Sequence, residues 1–405
     1  MQDKELNQLI EQQRERHSLT REFYTDPGIY QRDVDRIFMR SWLYAGHQSE
    51  IPNPGDWFLF ELADESVIIT RAADGSINAL LNVCRHRGSR VCVERSGCSK
   101  RLICPYHGWT YDLDGQLVGA PRMNEDFDPS TVSLRRLSVE LLAGLIFINF
   151  ADTPPSLAAA REGLKDCLAP YDLANAKVAH RQNYPIAANW KLAVENYCEC
   201  YHCAPAHPEY SRGHSLAHAG VRSGELHDAV MARAAACGLS DRMTNHLYLD
   251  APAFGADYGF DRYPLIRDHL TGSEDGKPVA PLMGSIRDYD GGATDLQLGP
   301  VLFGLMYCDY VVLYRFTPRG LQSADCDITW LVRGDAEEGR DYDRGRLTWL
   351  WDITTHADKS IIEHNQQGVN SRFYVPGPLS PMENYTWKFI SWYLASMRAP
   401  LRVAA

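Results

Sequence analysis

Cys84-Arg85-His86-Arg87-Gly88 and Cys104-Pro105-Tyr106-His107-Gly108-Trp109 are the two segments whose reading decides the architecture. Each offers one thiolate and one imidazole, and seventeen residues separate His86 from Cys104. Soft thiolates suit an iron–sulfur cluster, and imidazoles on one of its two irons raise the reduction potential. A structural zinc also accepts two Cys and two His. Zinc fingers, however, place both Cys before both His, whereas this chain alternates Cys, His, Cys, His. Gly88 and Gly108 let both loop tips approach a metal, and Pro105 stiffens the second tip.

A second segment runs from Asn189 to His207, Asn-Trp-Lys-Leu-Ala-Val-Glu-Asn-Tyr-Cys-Glu-Cys-Tyr-His-Cys-Ala-Pro-Ala-His. Trp190, Ala193, Val194 and Tyr197 recur at spacings of three and four, which predicts a helix before Pro205. His202 and His207 are five apart and would diverge by about 140° on an unbroken helix. Pro205 and Pro208 push their preceding residues out of the α region, so the helix should end near Ala204 and His207 can swing back towards His202.

Together these segments resemble the Rieske non-haem iron oxygenases, specifically their large oxygenase (alpha) subunit. Cys-Arg-His-Arg-Gly and Cys-Pro-Tyr-His-Gly-Trp match that family's cluster motif position by position. The resemblance implies that Cys84 and Cys104 ligate one iron of a Rieske [2Fe–2S] cluster, and His86 and His107 the other. It implies that His202 and His207 hold a mononuclear Fe(II). Such irons take a third ligand, a carboxylate, which leaves the opposite positions free. The stretch from Trp351 to Gly368 resembles the family segment that supplies it, and on that alignment the ligand is Asp358. Relatives often carry Glu before this Asp, where this chain has Ala357. Asp352, Glu363 and His356 stand as alternatives. Trp351, Thr354, Asp358, Ile361, Ile362 and Asn365 share one helix face, expected to point inward.

The resemblance also gives catalytic roles to Glu199 and Asn196. An acid at the place of Glu199 bridges a cluster His of one subunit to an iron His of its neighbour. Asp is usual there. Glu marks a branch acting on quaternary ammonium compounds of the carnitine, glycine betaine and stachydrine type. The Asn196-to-His202 spacing is also one residue shorter than in naphthalene-type dioxygenases, which favours the same branch.

Composition sets the bounds. The chain has 405 residues, enough for two domains. A net charge of −11 argues against a nucleic-acid partner. No apolar run reaches membrane-span length, and Met1 to Glu15 is polar, so a cytoplasmic protein without signal or anchor is expected. Eleven Cys then read as reduced thiols. Cys198, Cys200 and Cys203 read as small packing residues scattered round the helix.

The fold expected is α+β. Residues 1–45 form a helical segment packing on the catalytic domain, anchored by Phe23-Tyr24 and Ile37-Phe38. Residues 46–155 form a β-rich Rieske domain, with strands at Trp57 to Leu62, Ser66 to Thr70 and Ile77 to Leu81, and Asp152 to Pro155 as linker. Residues 156–405 form the mononuclear iron domain, an antiparallel sheet surrounded by helices (helix-grip type). Strands are expected at Val301 to Leu305, Tyr310 to Phe316 and Asp325 to Val332, and a last helix from Asn384 to Met397. Leu239 to Gly299 reads as irregular, partly helical or a lid. No glycine fingerprint for a nicotinamide or flavin is present, so electrons must come from another protein.

The family likeness then implies an oxygenase component using O2 and electrons drawn from NADH or NADPH through a flavin/iron–sulfur reductase or ferredoxin. A homotrimer is expected. The favoured reaction is monooxygenation of an N-methyl group of a betaine-like compound, with formaldehyde released. The alternatives are an aromatic ring-hydroxylating dioxygenase alpha subunit, and a Rieske electron carrier without oxygenase activity. Tyr258, Phe260, Tyr263, Tyr307, Tyr310, Tyr314 and Phe316 are candidates for an aromatic cage round a quaternary ammonium.

Overall fold

The computed structural model describes residues 2–214, 221–247 and 257–398. Contacts divide the chain into two compact units, Trp42–Pro154 and a second made of Met1–Ser41 with Pro155–Ala405. Strands in chain order are β1 Leu43–His47, β2 Asp56–Leu62, β3 Glu65–Arg71, β4 Ile77–Leu81, β5 Ser96–Cys98, β6 Leu102–Ile103, β7 Thr110–Tyr111, β8 Leu117–Gly119, β9 Arg136–Leu142, β10 Leu145–Asn149, β11 Lys177–Ile186, β12 Thr244–His246, β13 Tyr258–Pro264, β14 Gly292–Leu298, β15 Leu302–Met306, β16 Val311–Gly320 and β17 Ser323–Val332. Helices are α1 Asp3–Glu11, α2 Glu22–Thr25, α3 Pro27–Asp33, α4 Ala158–Leu168, α5 Trp190–Tyr197, α6 Cys203–Ala206, α7 Pro208–Gly213, α8 Val221–Cys237, α9 Arg344–Asn370 and α10 Asn384–Arg398.

The smaller unit is β-rich. One sheet runs β1-β10-β9-β4-β3-β2-β5, and a small sheet β6-β7-β8 carries the second cluster segment. In β2 the alternation Phe58, Phe60, Leu62 buries one face. Leu62 pairs with Glu65 across a two-residue turn, with Ala63 at φ +47. Leu80, Trp109, Tyr111 and Leu134 pack with Cys84 and Cys104 in one core.

The larger unit is an antiparallel sheet, β11-β17-β16-β15-β14-β13-β12. The long helix α9 lies against β11 and α5. This α+β arrangement, one β-rich unit and one unit with an antiparallel sheet and helices, is the fold class the sequence implied. The region from Leu239 to Gly299 departs from expectation. It contributes β12, β13 and β14, three strands of the main sheet, while its residues 248–256 lie outside the described ones. Charged Asp261, Arg262 and Asp295 hid the strand pattern. Arg262 is buried because Asp290 accepts its guanidinium at 2.5 Å. Among the described residues no helix is long and apolar enough to cross a membrane.

Candidate functional site

In the smaller unit the two cluster segments form loops of one design. Cys84 N donates to Ser89 O at 2.8 Å and Gly88 N to Cys84 O at 2.9 Å. Cys104 N donates to Trp109 O at 2.8 Å and Gly108 N to Cys104 O at 3.0 Å. Gly88 and Gly108 close these turns at φ +77 and +72, a conformation that favours glycine. Both thiols are buried, whereas His86 and His107 are exposed with ring centroids 4.5 Å apart. His86 stacks on Trp109. The Tyr111 hydroxyl accepts from Arg85 N at 3.0 Å, leaving its own proton for Cys84 Sγ at 3.3 Å. Paired inner thiolates and paired outer imidazoles fit a two-iron cluster, and a hydrogen bond to sulfur is one lever on its potential.

In the larger unit α5 begins on Asn189, whose side chain accepts from Lys191 N at 3.1 Å. The helix stops at Tyr197, earlier than the prolines suggest. Residues 198–202 leave it, α6 takes Pro205 into its short length, and Pro208 opens α7. His202 therefore precedes α6, and His207 is the single non-helical residue between α6 and α7 (φ −130°, ψ 68°). Trp351, Thr354 and Asp358 come from successive turns of one face of α9.

These three segments converge. Asp358 Oδ1 lies 2.8 Å from His207 Nε2 and 3.2 Å from His202 Nε2. One ligand atom from each residue lies within 4.8 Å of the others, and among the described residues no fourth ligand joins them. Glu199 fixes His202 from behind. Its carboxylate accepts from His202 Nδ1 at 2.6 Å, from His202 N at 3.2 Å and from Tyr201 N. That contact selects the tautomer whose Nε2 is free to ligate. Asn196 Nδ2 approaches the same Nε2 at 3.4 Å. His207 Nδ1 is buried and, among the described residues, has no hydrogen-bond partner.

Burial works against a charge on His202, but Asp358 and Glu199 outweigh it and hold its pKa at about 9. The site therefore favours positive charge. Two imidazoles and one carboxylate on one side are the donor set of an Fe(II) with open positions. The other acids on α9 are engaged elsewhere. Asp352 accepts from Tyr184 OH at 2.6 Å, and Glu363 accepts from Ala187 N at 2.9 Å and pairs with Lys359. The side chain of His356 is largely exposed.

The three ligands border a cavity of about 440 Å³. Phe260, Tyr263 and Tyr314 line it, as do Tyr197, Phe303 and Trp351, which sequence reasoning did not select as wall residues. Tyr258, Tyr307, Tyr310 and Phe316 are buried and do not line it. Tyr307 instead meets His214 Nε2 at 2.7 Å, and Tyr310 accepts from Trp351 Nε1 at 2.8 Å.

The cysteine reading needs one correction. Cys200 and Cys203 are joined as a disulfide, with Cα atoms 4.9 Å apart, rather than scattered as reduced packing residues. The physical reason is the early end of α5, which places both on the short turn around His202 and outside a continuous helix. Nine other cysteines are free, Cys84 and Cys104 among them.

Residues 173–399 match the model for the ring hydroxylating alpha subunit (catalytic domain), and residues 41–139 match the Rieske [2Fe-2S] domain. The chain is 35% identical over 404 residues to the glycine betaine monooxygenase oxygenase subunit of Chromohalobacter salexigens, covering 98% of this chain and 89% of that one. It is 37% identical over 194 residues to the carnitine monooxygenase oxygenase subunit of Acinetobacter baumannii, covering 47% and 52%. Among solved structures, a quaternary ammonium Rieske monooxygenase in complex with L-carnitine aligns with a TM-score of 0.70 at 22% identity, covering 95% and 96%. Naphthalene 1,2-dioxygenase from Rhodococcus sp. aligns at 0.68 and 20%, covering 98% and 99%, so the fold does not separate the two chemistries. The catalytic-domain match and the near full-length relative, on a chain with this ligand geometry, show that it belongs to the Rieske non-haem iron oxygenases, as an alpha subunit with a [2Fe–2S] cluster and a mononuclear iron.

Proposed function

We propose that this oxygenase removes an N-methyl group from a small, betaine-like quaternary ammonium compound. One observation carries the reading: a two-His, one-carboxylate face bordering a cavity of about 440 Å³ with Tyr197, Phe260, Tyr263, Phe303, Tyr314 and Trp351 among its walls. Aromatic faces attract a quaternary ammonium. Relatives named for glycine betaine and carnitine support it.

In this reading His202, His207 and Asp358 hold Fe(II), and Cys84, His86, Cys104 and His107 hold the cluster. The iron supplies O2 activation when bound. Glu199 keeps the His202 ring in its ligating tautomer and is the candidate bridge to a cluster imidazole of a neighbouring subunit in a homotrimer. Asn196 places an amide beside the same ring. The cavity walls position the methyl group and keep bulk water away. Overall, one oxygen atom enters a C–H bond, and the other leaves as water with two electrons and two protons. The carbinolamine then loses formaldehyde and leaves the demethylated amine. Electrons come from a reductase or ferredoxin partner, as in the family; a flavin/iron–sulfur protein using NADH or NADPH, and a cytoplasmic site, complete the proposal.

The test is a substrate screen of iron-loaded enzyme with a surrogate reductase, scoring formaldehyde against ring hydroxylation. Stoichiometric formaldehyde from a trimethylammonium compound is expected. Hydroxylated arene without formaldehyde would overturn the proposal in favour of the ring-hydroxylating dioxygenase.

A further inference from the structure

The cavity carries charge that the iron site does not use. Asp261 and Asp295 both line it. They are direct partners across the antiparallel pair β13–β14, so their side chains share one face of the sheet. Like charges placed directly opposite are destabilising. Among the described residues no full counter-charge meets the pair. His227 Nε2 stands 3.4 Å from Asp261 Oδ1. Among the described residues no side chain pairs with Asp295.

The surroundings sharpen the point. Asp295 is exposed, yet burial and the charge of Asp261 raise its pKa to about 7. Among the described residues, no Lys or Arg lines this cavity. Arg262, beside Asp261 in the chain, is committed to Asp290 and Gly292 O. Glu199 and Asp358 add two more acids, both engaged by the iron histidines.

A betaine brings two groups, an ammonium and a carboxylate. The aromatic walls and the Asp261–Asp295 pair suit the first. The second would meet Asp261 and Asp295, the two acids that the iron site does not engage, and among the described residues no Lys or Arg lines the cavity to pair with it, so a carboxylate there makes a like-charge contact that works as a rejection element. We infer that Asp261 and Asp295 select a net-cationic N-methylated amine that lacks a carboxylate, in preference to a zwitterionic betaine. This inference rests on the N-demethylation proposed above and departs from it in the substrate, placing a cation ahead of the zwitterionic betaine.

The experiment uses iron-loaded enzyme with a surrogate reductase and three probes of similar shape. These are choline (a cation), glycine betaine (a zwitterion) and 3,3-dimethyl-1-butanol (the neutral carbon isostere of choline). Formaldehyde release is followed for the two amines, and the Kd of all three is measured by calorimetry on anaerobic, oxidised enzyme. We expect choline to exceed glycine betaine at least tenfold in kcat/KM and in affinity. In Asp295→Asn the choline preference should fall at least tenfold, through KM and Kd more than kcat, while binding of the neutral isostere stays within twofold. Asp261→Asn should act in the same direction and serves as the second variant if the first does not fold. Glycine betaine turned over as well as choline or better, or an unchanged ratio in both variants, overturns the selection while leaving N-demethylation standing. Ring hydroxylation with no formaldehyde from any amine removes both.

Discussion

Lys191 stands on α5, eleven residues before His202, and its ammonium is wholly buried against the equally buried Asp33 of α3. Asp33 also accepts from Trp190 Nε1 at 3.0 Å and from Tyr393 OH at 2.7 Å. One carboxylate thus ties the N-terminal segment, the helix α5 that precedes His202, and α10 together. Lys191→Met keeps most of the side-chain volume and removes the charge, leaving Asp33 with two neutral donors. Breaking a buried pair by removing one partner costs about 3–5 kcal/mol. A domain has about 5–15 kcal/mol in total. For a unit of this size each kcal/mol moves Tm by about 2–4 °C, so the shift should be roughly 6–20 °C. Asp33→Asn combined with Lys191→Met retains an acceptor for Trp190 and Tyr393 and removes both charges. The double variant should therefore be more stable than Lys191→Met alone, a coupling typical of contacting residues. The assay is urea unfolding followed by tryptophan fluorescence, with visible absorption of the cluster reporting the other unit separately. A loss below about 1 kcal/mol, or a double variant less stable than the single, would refute the assignment of this pair as a buried, mutually dependent ion pair.

Other outcomes follow from the same geometry. Asp358→Ala should lower iron from about three to about two per chain and abolish turnover while the cluster spectrum persists, because two imidazoles alone make a poor open site; retained iron would move the ligand to Asp352. Glu199→Gln should keep both metals yet slow cluster-to-iron electron passage about 10–100-fold in single-turnover absorbance, since an outer-shell carboxylate orients and tunes its imidazole. Unchanged kinetics would remove Glu199 from the path. Non-reducing mass spectrometry of the denatured, alkylated chain should find nine of eleven cysteines modified, with Cys200 and Cys203 joined. Alkylation of all eleven would contradict the disulfide.

Family, fold class and cofactors were legible in the sequence because metal chemistry is local. Two short loops with fixed residue types specify a Rieske cluster whatever surrounds them, and the backbone bonds of Cys84 and Cys104 repeat within a few residues. The candidates His202, His207 and Asp358 were nameable for the same reason. Asp358 was named by alignment, with Asp352 and Glu363 left as alternatives, because which acid of α9 meets the histidines depends on how a 27-residue helix rotates against α5. Tertiary packing turned Asp358 towards them and gave Asp352 to Tyr184. It also built β13 and β14 from a stretch whose charges concealed the strand period, and so brought Asp261 opposite Asp295. Ligand type is written in single residues, whereas cavity charge is a sum over strands distant in sequence, and only the closed sheet performs that sum.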